Sequence, residues 1–427
     1  MRQFKCYWVL FICLITTQLC SQTYNNIRVA YISANSVTPI PTRFYERAQA
    51  NGYNYILAEF RIWEDPAWIN GRYTGNSNSI LRKRLRDEFL SADKNGLKLI
   101  PLFQTSSEHS WHWVQTKNPN IQWQTLPSDV IGWSEANRKV PAFAPDPSGV
   151  FGFDSSFNQL LNIIYDAFAD ARGATPSLKY SNIEYIHFGG DEPFFNFKDT
   201  RRVMVLAGLC QLDRDWLDRQ GLRNSTPQNK IISLLGNNIR RKVQMINTVG
   251  NKRGHTTTAL YYADMLDPNF FGGDSDLCTF TDIFNPSASA TTNIKTSSLA
   301  SNADVQTVRS QSILVQWNYE QDYLGGNYNT FSTFNHFKSN NLRFLHGSAL
   351  ADENNPILHK RLNQLMDQAV TCANPVFNKS ALGYVSFHWC SGSNIFDNTK
   401  GRYDQRLSYM TMEFLSHILL HNAAIYD

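Results

Sequence analysis

The amino-acid sequence predicts a single (β/α)8 barrel, the TIM-barrel class of α/β fold. Short apolar runs rich in β-branched and aromatic residues alternate with longer segments of helical periodicity along the chain. The runs are continuously apolar, which is typical of parallel strands covered on both faces. The alternative, a doubly wound open sheet, is disfavoured because no Gly-rich phosphate loop follows the first strand.

Eight segments are predicted as strands: Ile27–Ile32, Tyr55–Phe60, Leu97–Phe103, Ile183–Phe188, Thr257–Tyr262, Ser312–Trp317, Leu342–Leu345 and Leu382–Trp389. The clearest helices repeat apolar residues at the i, i+3, i+4, i+7 spacing of one buried face. They are Ser79–Asn95, a segment containing Phe157–Phe168, and Gln405–Leu420. In a barrel of this class the chemistry lies where each strand ends and the next loop begins.

The N-terminus predicts a secretory signal peptide over residues 1–21, followed by one barrel domain over residues 22–427. Arg2 and Lys5 precede the apolar stretch from Tyr7 to Ile15, and small residues follow near Ser21. That stretch is too short to cross a bilayer, and no later run suggests a membrane span. Cys20 also admits a lipoprotein, but the residues before it match poorly. We therefore expect a secreted or periplasmic protein.

Net charge and cysteine content indicate which partners and which disulfides to expect. The formal charge of +4 is small for 427 residues and no Lys/Arg-rich run occurs, so we expect neither nucleic acid nor an anionic membrane as a partner. Beyond the signal peptide the cysteines are Cys210, Cys278, Cys372 and Cys390. An oxidising compartment favours one or two disulfides, and three pairings stay open.

The central motif is Tyr185-Ile186-His187-Phe188-Gly189-Gly190-Asp191-Glu192, at the end of the fourth predicted strand. Paired glycines let the backbone turn sharply or approach a ligand closely. Adjacent carboxylates repel each other, and burial raises the pKa of at least one, which suits a general acid. The alternative is a solvated turn in which Glu192 and Pro193 open a helix.

This motif resembles the His-x-Gly-Gly-Asp-Glu signature of glycoside hydrolase family 20, the β-N-acetylhexosaminidases. Shorter landmarks follow other predicted strands in the family's order: Glu108-His109-Ser110, Tyr261-Tyr262-Ala263-Asp264-Met265, Val315-Gln316-Trp317-Asn318-Tyr319 and Ser386-Phe387-His388-Trp389. The resemblance spans nearly the whole mature chain, but only the fourth-strand motif is specific.

The resemblance implies retaining, substrate-assisted hydrolysis of β-linked N-acetylglucosamine or N-acetylgalactosamine in an oligosaccharide or glycoconjugate. Glu192 is the expected acid and base, while Asp191 orients the substrate's acetamido group. The remaining pocket residues that it implies bind the sugar: His109, His187, Tyr262, Asp264, Trp317 and Trp389. The seventh-strand end lacks the family's tyrosine, and Tyr319 is the candidate to replace it; for Trp317 and Trp389 the alternative is a place in the barrel core. We expect no cofactor, and His109 and His112 lack a third ligand for a metal site.

The sequence departs from the family where a terminal sugar is held. Ser33 stands where the family commonly has an arginine, and Ser391 stands where it has a carboxylate. Glu59 and Arg61, at the end of the second strand, are candidates to replace that hydroxyl grip; the alternative is a surface ion pair. An unusual terminal sugar or an internal cut is therefore credible. Two further alternatives stay open: a barrel glycosidase with a separate nucleophile, and a catalytically silent glycan-binding barrel.

Overall fold

Eight parallel strands close a barrel in the computed structural model, and they follow one another around it in chain order. In the described residues the strands are β1 Ile27–Ala34, β2 Tyr55–Phe60, β3 Lys98–Leu102, β4 Gln124–Thr125, β5 Lys139–Val140, β6 Tyr185–His187, β7 Arg202–Val203, β8 Thr258–Tyr262, β9 Leu277–Asp282, β10 Asn285–Asn293, β11 Ser312–Gln316, β12 Phe344–Ala349 and β13 Ala381–Phe387. The barrel consists of β1, β2, β3, β6, β8, β11, β12 and β13, and pairing of β13 with β1 closes it. The predicted fold class is confirmed.

The structure describes residues 27–34, 39–50, 52–60, 79–103, 105, 124–125, 139–140, 143–145, 153–174, 180–190, 202–203, 211–263, 277–282, 285–293, 303–316, 336–337, 339–349 and 381–387. The predicted signal peptide, the helix Gln405–Leu420 and three of the four cysteines of the mature chain lie outside these residues. The fourth, Cys278, lies on β9. The disulfides therefore stay a prediction.

The helices of the described part are α1 Thr42–Ala50, α2 Ile80–Lys94, α3 Phe153–Ala174, α4 Gln211–Arg219, α5 Pro227–Lys252 and α6 Ala303–Gln311. Local signals set where they start. The Ser79 hydroxyl accepts the backbone N–H of Arg82 at the start of α2, and Thr226 caps α5 in the same way, with Pro227 at its first position. None of these helices is long and apolar enough to cross a membrane.

The core lies inside the barrel and between the barrel and its helices. Phe89 of α2 meets Phe168 of α3 edge to face, with ring centroids 5.1 Å apart, and Phe168 also packs on Tyr180. Leu81, Leu85 and Phe89 of α2 are all fully buried, as the helical spacing predicts. The buried faces of α2 and α3 thus pack against the outer side of the barrel.

The predicted strand ends differ from the observed ones by a few residues, most of all on the seventh barrel strand. The prediction stops at Leu345, whereas β12 continues to Ala349. Gly347 and Ser348 look unlike strand residues, but they pair with Val385 and Ser386 of β13. Pairing with a neighbouring strand therefore extends β12 beyond its apolar run.

Two smaller sheets escaped prediction, and both belong to loops. β4 and β5 pair within the loop that follows β3, which showed no secondary structure in its sequence. β7 pairs with β9, and β9 with β10, so the loops after β6 and β8 share one sheet. The residues of β10 are Ser, Thr, Asn, Ala and Pro, which lack the alternation that marks a strand.

Candidate active site

The register of the barrel determines which side chains face its interior. Glu59 pairs with Leu102, Leu102 with His187, and His187 with Leu260, so these residues share one face of the sheet. The next residue, Phe188, faces the other way and packs on Phe157 of α3 with centroids 6.1 Å apart. Because α3 covers the outside, Glu59 and His187 face the interior, near the carboxyl ends of their strands.

His187 is a fully buried, neutral imidazole with a defined tautomer. The backbone N–H of Gly189 donates to its Nδ1 at 3.0 Å, which requires the ring proton to be on Nε2. Burial lowers the pKa of His187 well below its usual 6.5. Within the described part of the chain Nε2 has no hydrogen-bond partner. His187 therefore offers one N–H donor, on Nε2.

Tyr262 lies beside His187. Their ring centroids are 4.3 Å apart with the planes inclined by 58°. Tyr262 is buried and shares the inward face, because Leu260 two residues earlier pairs with no change of register. The backbone N–H of Tyr262 donates to the carbonyl of Gly189 at 3.1 Å. This hydrogen bond joins the ends of β6 and β8, the fourth and fifth barrel strands.

The chain can turn after β6 only because residues 189 and 190 are glycines. Their φ angles are 75° and 97°, in the region that side chains rarely adopt. A Cβ on Gly190 would also meet ring carbon Cε2 of Tyr261 at 2.5 Å. Tyr261 is held in place by stacking on Phe188, with centroids 5.1 Å apart. The turn therefore needs glycine at position 190, one residue before Asp191.

Glu59 is held by a residue that sequence reasoning missed. The fully buried hydroxyl of Tyr31, on β1, donates to Oε2 of Glu59 on β2. The Glu59 side chain is partly exposed, and within the described part of the chain Tyr31 is its hydrogen-bond partner. Glu59 therefore faces inward, while its predicted grip on a sugar hydroxyl stays a prediction and Arg61 lies outside the described residues.

The other predicted site residues lie outside the described residues: Arg61, His109, Asp191, Glu192, Asp264, Trp317, Tyr319 and Trp389. Their roles stay predictions. Of the three described ones, His187 and Tyr262 are in contact, and Glu59 occupies the same layer as His187, separated from it by β3. The described part of the chain contains no cluster of three or more His, Cys, Asp or Glu side chains that could hold a metal ion.

Comparison with known proteins rests on structure, since no family model and no curated protein matches the chain. The catalytic domain of β-amylase from Paenibacillus polymyxa matches with a TM-score of 0.50 and 11% identity, over 91% of this chain and 99% of that chain. The chain has the TIM-barrel fold.

Two further crystal structures match less closely. The endo-β-1,4-glucanase of Xanthomonas axonopodis pv. citri has a TM-score of 0.44 and 11% identity, over 91% of this chain and 98% of that one. A glycoside hydrolase family 5 enzyme from Prevotella bryantii has a TM-score of 0.42 and 10% identity, over 89% and 86%. At 11% identity the likeness to the β-amylase domain establishes the fold alone, because one barrel supports many reactions.

Proposed function

We propose that this protein is an exported glycoside hydrolase that cleaves β-linked N-acetylhexosamine residues by a retaining, substrate-assisted mechanism. The observation that carries the proposal is the turn at the end of β6. Its two positive-φ glycines and the buried His187 lead directly to the adjacent carboxylates Asp191 and Glu192. Carboxylates that follow a barrel strand are expected on the face where barrel enzymes carry their active sites.

The two carboxylates act on neighbouring substituents of one sugar ring. Glu192 gives its proton to the glycosidic oxygen while the C1–O bond breaks, and the substrate's acetamido oxygen bonds to C1. Asp191 orients the acetamido N–H and stabilises the positive charge of the resulting oxazolinium ring. Water then attacks C1 and gives a proton to Glu192, which restores the acetamido group with retained configuration.

The described pocket residues suit a sugar with hydrogen-bonding substituents. Nε2–H of the neutral His187 is a donor, and the Glu59 carboxylate is an acceptor on the opposite side of β3. A ring hydroxyl donates and accepts, so one sugar can satisfy both groups. Tyr262 is fully buried and packs beside His187, with the two ring centroids 4.3 Å apart. The barrel fold shared with a β-amylase also supports a carbohydrate substrate.

Replacement of Glu192 by Gln tests the assignment of the acid. The amide keeps the volume but has no proton to give, so turnover of natural glycans should fall roughly 10²–10⁴-fold. Aryl N-acetylhexosaminides with good leaving groups need less acid catalysis and should lose less in the first step. Measurement of kcat and kcat/KM on both substrate types, with circular dichroism to check folding, decides it. An equal loss on both types would count against Glu192 as the acid.

The second candidate is a barrel glycosidase with a protein nucleophile, and Glu59 favours it. This carboxylate faces inward near the end of β2 and is oriented by Tyr31, as a nucleophile would be. The two mechanisms respond to different inhibitors. Substrate assistance predicts tight competitive inhibition by a thiazoline analogue of the oxazolinium ring, weakened by Asp191→Asn.

Mass spectrometry after incubation with a 2-fluoro sugar tests for a protein nucleophile. A covalent adduct on Glu59, together with thiazoline inhibition no better than that of the free sugar, would replace the first mechanism by the second.

A further inference from the structure

A buried lysine lies against the outer side of the strand end that carries the catalytic motif. Lys242, on α5, is fully buried, and its Nζ is 5.8 Å from the ring centroid of Phe188. Nζ donates to Oγ1 of Thr105 at 2.9 Å, and the Thr105 hydroxyl donates to the carbonyl of Phe188 at 2.6 Å. A lysine is costly to bury, so its place beside this strand end needs an explanation.

The same turn of α5 holds both ends of the loop that follows β3. Lys242 binds Thr105 at the start of that loop, and the carbonyl of Phe143 near its end accepts from Asn238 and Arg241. These three α5 residues have the i, i+3, i+4 spacing of one helix face. The side chains of one helical turn thus fix the loop ends relative to the end of β6.

We propose that Lys242 is a positioning residue of the candidate active site, which acts through Thr105 on the end of β6 that continues to Asp191 and Glu192. The hydrogen-bond chain from Nζ through Oγ1 to the Phe188 carbonyl stands just before the two glycines of the turn. The two carboxylates follow that carbonyl by three and four residues, so its displacement would pass directly to them. The kinetic part of the test rests on the proposed function.

Lys242 could also act on the site through its positive charge, which depends on the groups around it. Arg241 on the same helix is paired with Asp154 of α3, Asp213 of α4 accepts the backbone N–H of Ala144, and His187 of β6 is neutral. Burial, followed by the charge of Arg241, lowers the pKa of Lys242 well below 10.5. A protonated Lys242 would place a positive charge beside the strand end that continues to Asp191 and Glu192, and a nearby positive charge favours the ionised form of a carboxylate.

The test compares Lys242→Met with Thr105→Val and with a matched control, Lys230→Met. Lys230 is a buried lysine on the same helix, about 18 Å nearer its N-terminus. The first readout is amide hydrogen exchange, which needs no activity. Lys242→Met and Thr105→Val should each speed exchange at the amides of residues 105 and 188–190 by about tenfold or more, and Lys230→Met should leave it unchanged.

The second readout is kinetic. Lys242→Met should lower kcat by about tenfold or more with KM within about threefold, because the carboxylates are misplaced while the sugar pocket is kept. The double variant with Thr105→Val should lose little more than either single variant, since both break one chain. A shift of the acid limb of the kcat/KM profile to higher pH indicates a charged Lys242. A kcat loss without that shift indicates that an uncharged amine positions the turn.

Two results would overturn the proposal. One is unchanged exchange at residues 105 and 188–190 in Lys242→Met; the other is a kcat loss that Lys230→Met reproduces. Absence of turnover in the wild-type protein on every glycoside tried would sink the proposed function instead. Hydrogen exchange would then still decide whether Lys242 fixes the end of β6.

Discussion

Alanine substitution at three glycines separates two reasons why a side chain is unfavourable at the turn after β6: the positive φ and the collision with Tyr261. Gly190 has φ of 97°, and a Cβ there would meet the Tyr261 ring at 2.5 Å. Gly221 has φ of 70°, but nothing lies within 4 Å of its added Cβ. Gly173 lies in α3 with open space around it and without positive φ. Gly190→Ala therefore combines backbone strain with a collision, Gly221→Ala has backbone strain alone, and Gly173→Ala has neither.

The expected free energies of unfolding follow from these environments. Gly173→Ala should stabilise the protein by about 0.5–1 kcal/mol, because alanine favours a helix. Gly221→Ala should cost about 1–2 kcal/mol from the left-handed backbone alone. Gly190→Ala adds the displacement of a stacked ring, about 1–3 kcal/mol, for a total of roughly 2–5 kcal/mol.

Urea unfolding followed by tryptophan fluorescence measures the three values, and kcat on an aryl glycoside measures the consequence for the site. Gly190→Ala should also lower kcat, since the turn that it distorts leads to Asp191, whereas the other two variants should keep it. If Gly190→Ala costs no more than Gly221→Ala, the collision with Tyr261 is not a constraint on the turn, and the argument that position 190 requires glycine fails.

Two further predictions concern the carboxylates of Glu59 and Glu88. Tyr31→Phe removes the hydroxyl that donates to Glu59 and should lower kcat/KM by roughly ten- to a hundredfold; steady-state kinetics should place the loss in KM if Glu59 grips a hydroxyl, and a loss confined to kcat would contradict that role. Burial raises the pKa of Glu88 despite its ion pair with Arg84 at 2.5 Å, so its contribution to stability is fully present below pH 4.5 and is lost as the pH rises through the raised pKa. The stability of the wild type relative to Glu88→Gln, measured in urea titrations, should therefore fall as the pH rises above 4.5, and a constant difference would refute the assigned direction.

The parts of the fold that were predictable are those in which local sequence and tertiary environment agree. Each of the eight barrel strands contains a short apolar run, because it is covered on both faces, and that run locates the strand in the sequence. α2 combines an apolar face with the capping residue Ser79, and its predicted limits agree with the observed helix to one residue at either end. In the loops, β7 depends on pairing with β9, a segment distant in sequence, whereas β10 pairs with the adjacent β9 but has no alternating apolar pattern to mark it as a strand.

The site residues that were missed look ordinary in sequence. Tyr31 belongs to an apolar strand and suggests core, while its hydroxyl meets a carboxylate 28 residues away. Lys242 follows Arg240 and Arg241 on a long amphipathic helix, where three basic residues suggest a solvated face. Only the packing of α5 on the end of β6 shows that Lys242 is buried. Composition and periodicity identify an element, whereas the roles of these two side chains depend on tertiary contacts.

The candidate site depends most on the register between β3 and β6. Among the described residues the ladder between these strands has the single pair Leu102–His187, extended by N–H groups of Phe103 and Thr105 that donate to the carbonyls of His187 and Phe188 at 3.0 and 3.3 Å. A slip of one residue would turn His187 outward and Phe188 into the barrel, because side chains alternate along a strand. The Thr105 hydroxyl binds the same Phe188 carbonyl from the side on which Lys242 lies. The contacts that hold Lys242 in place therefore also hold the short ladder in the register that directs His187 inward.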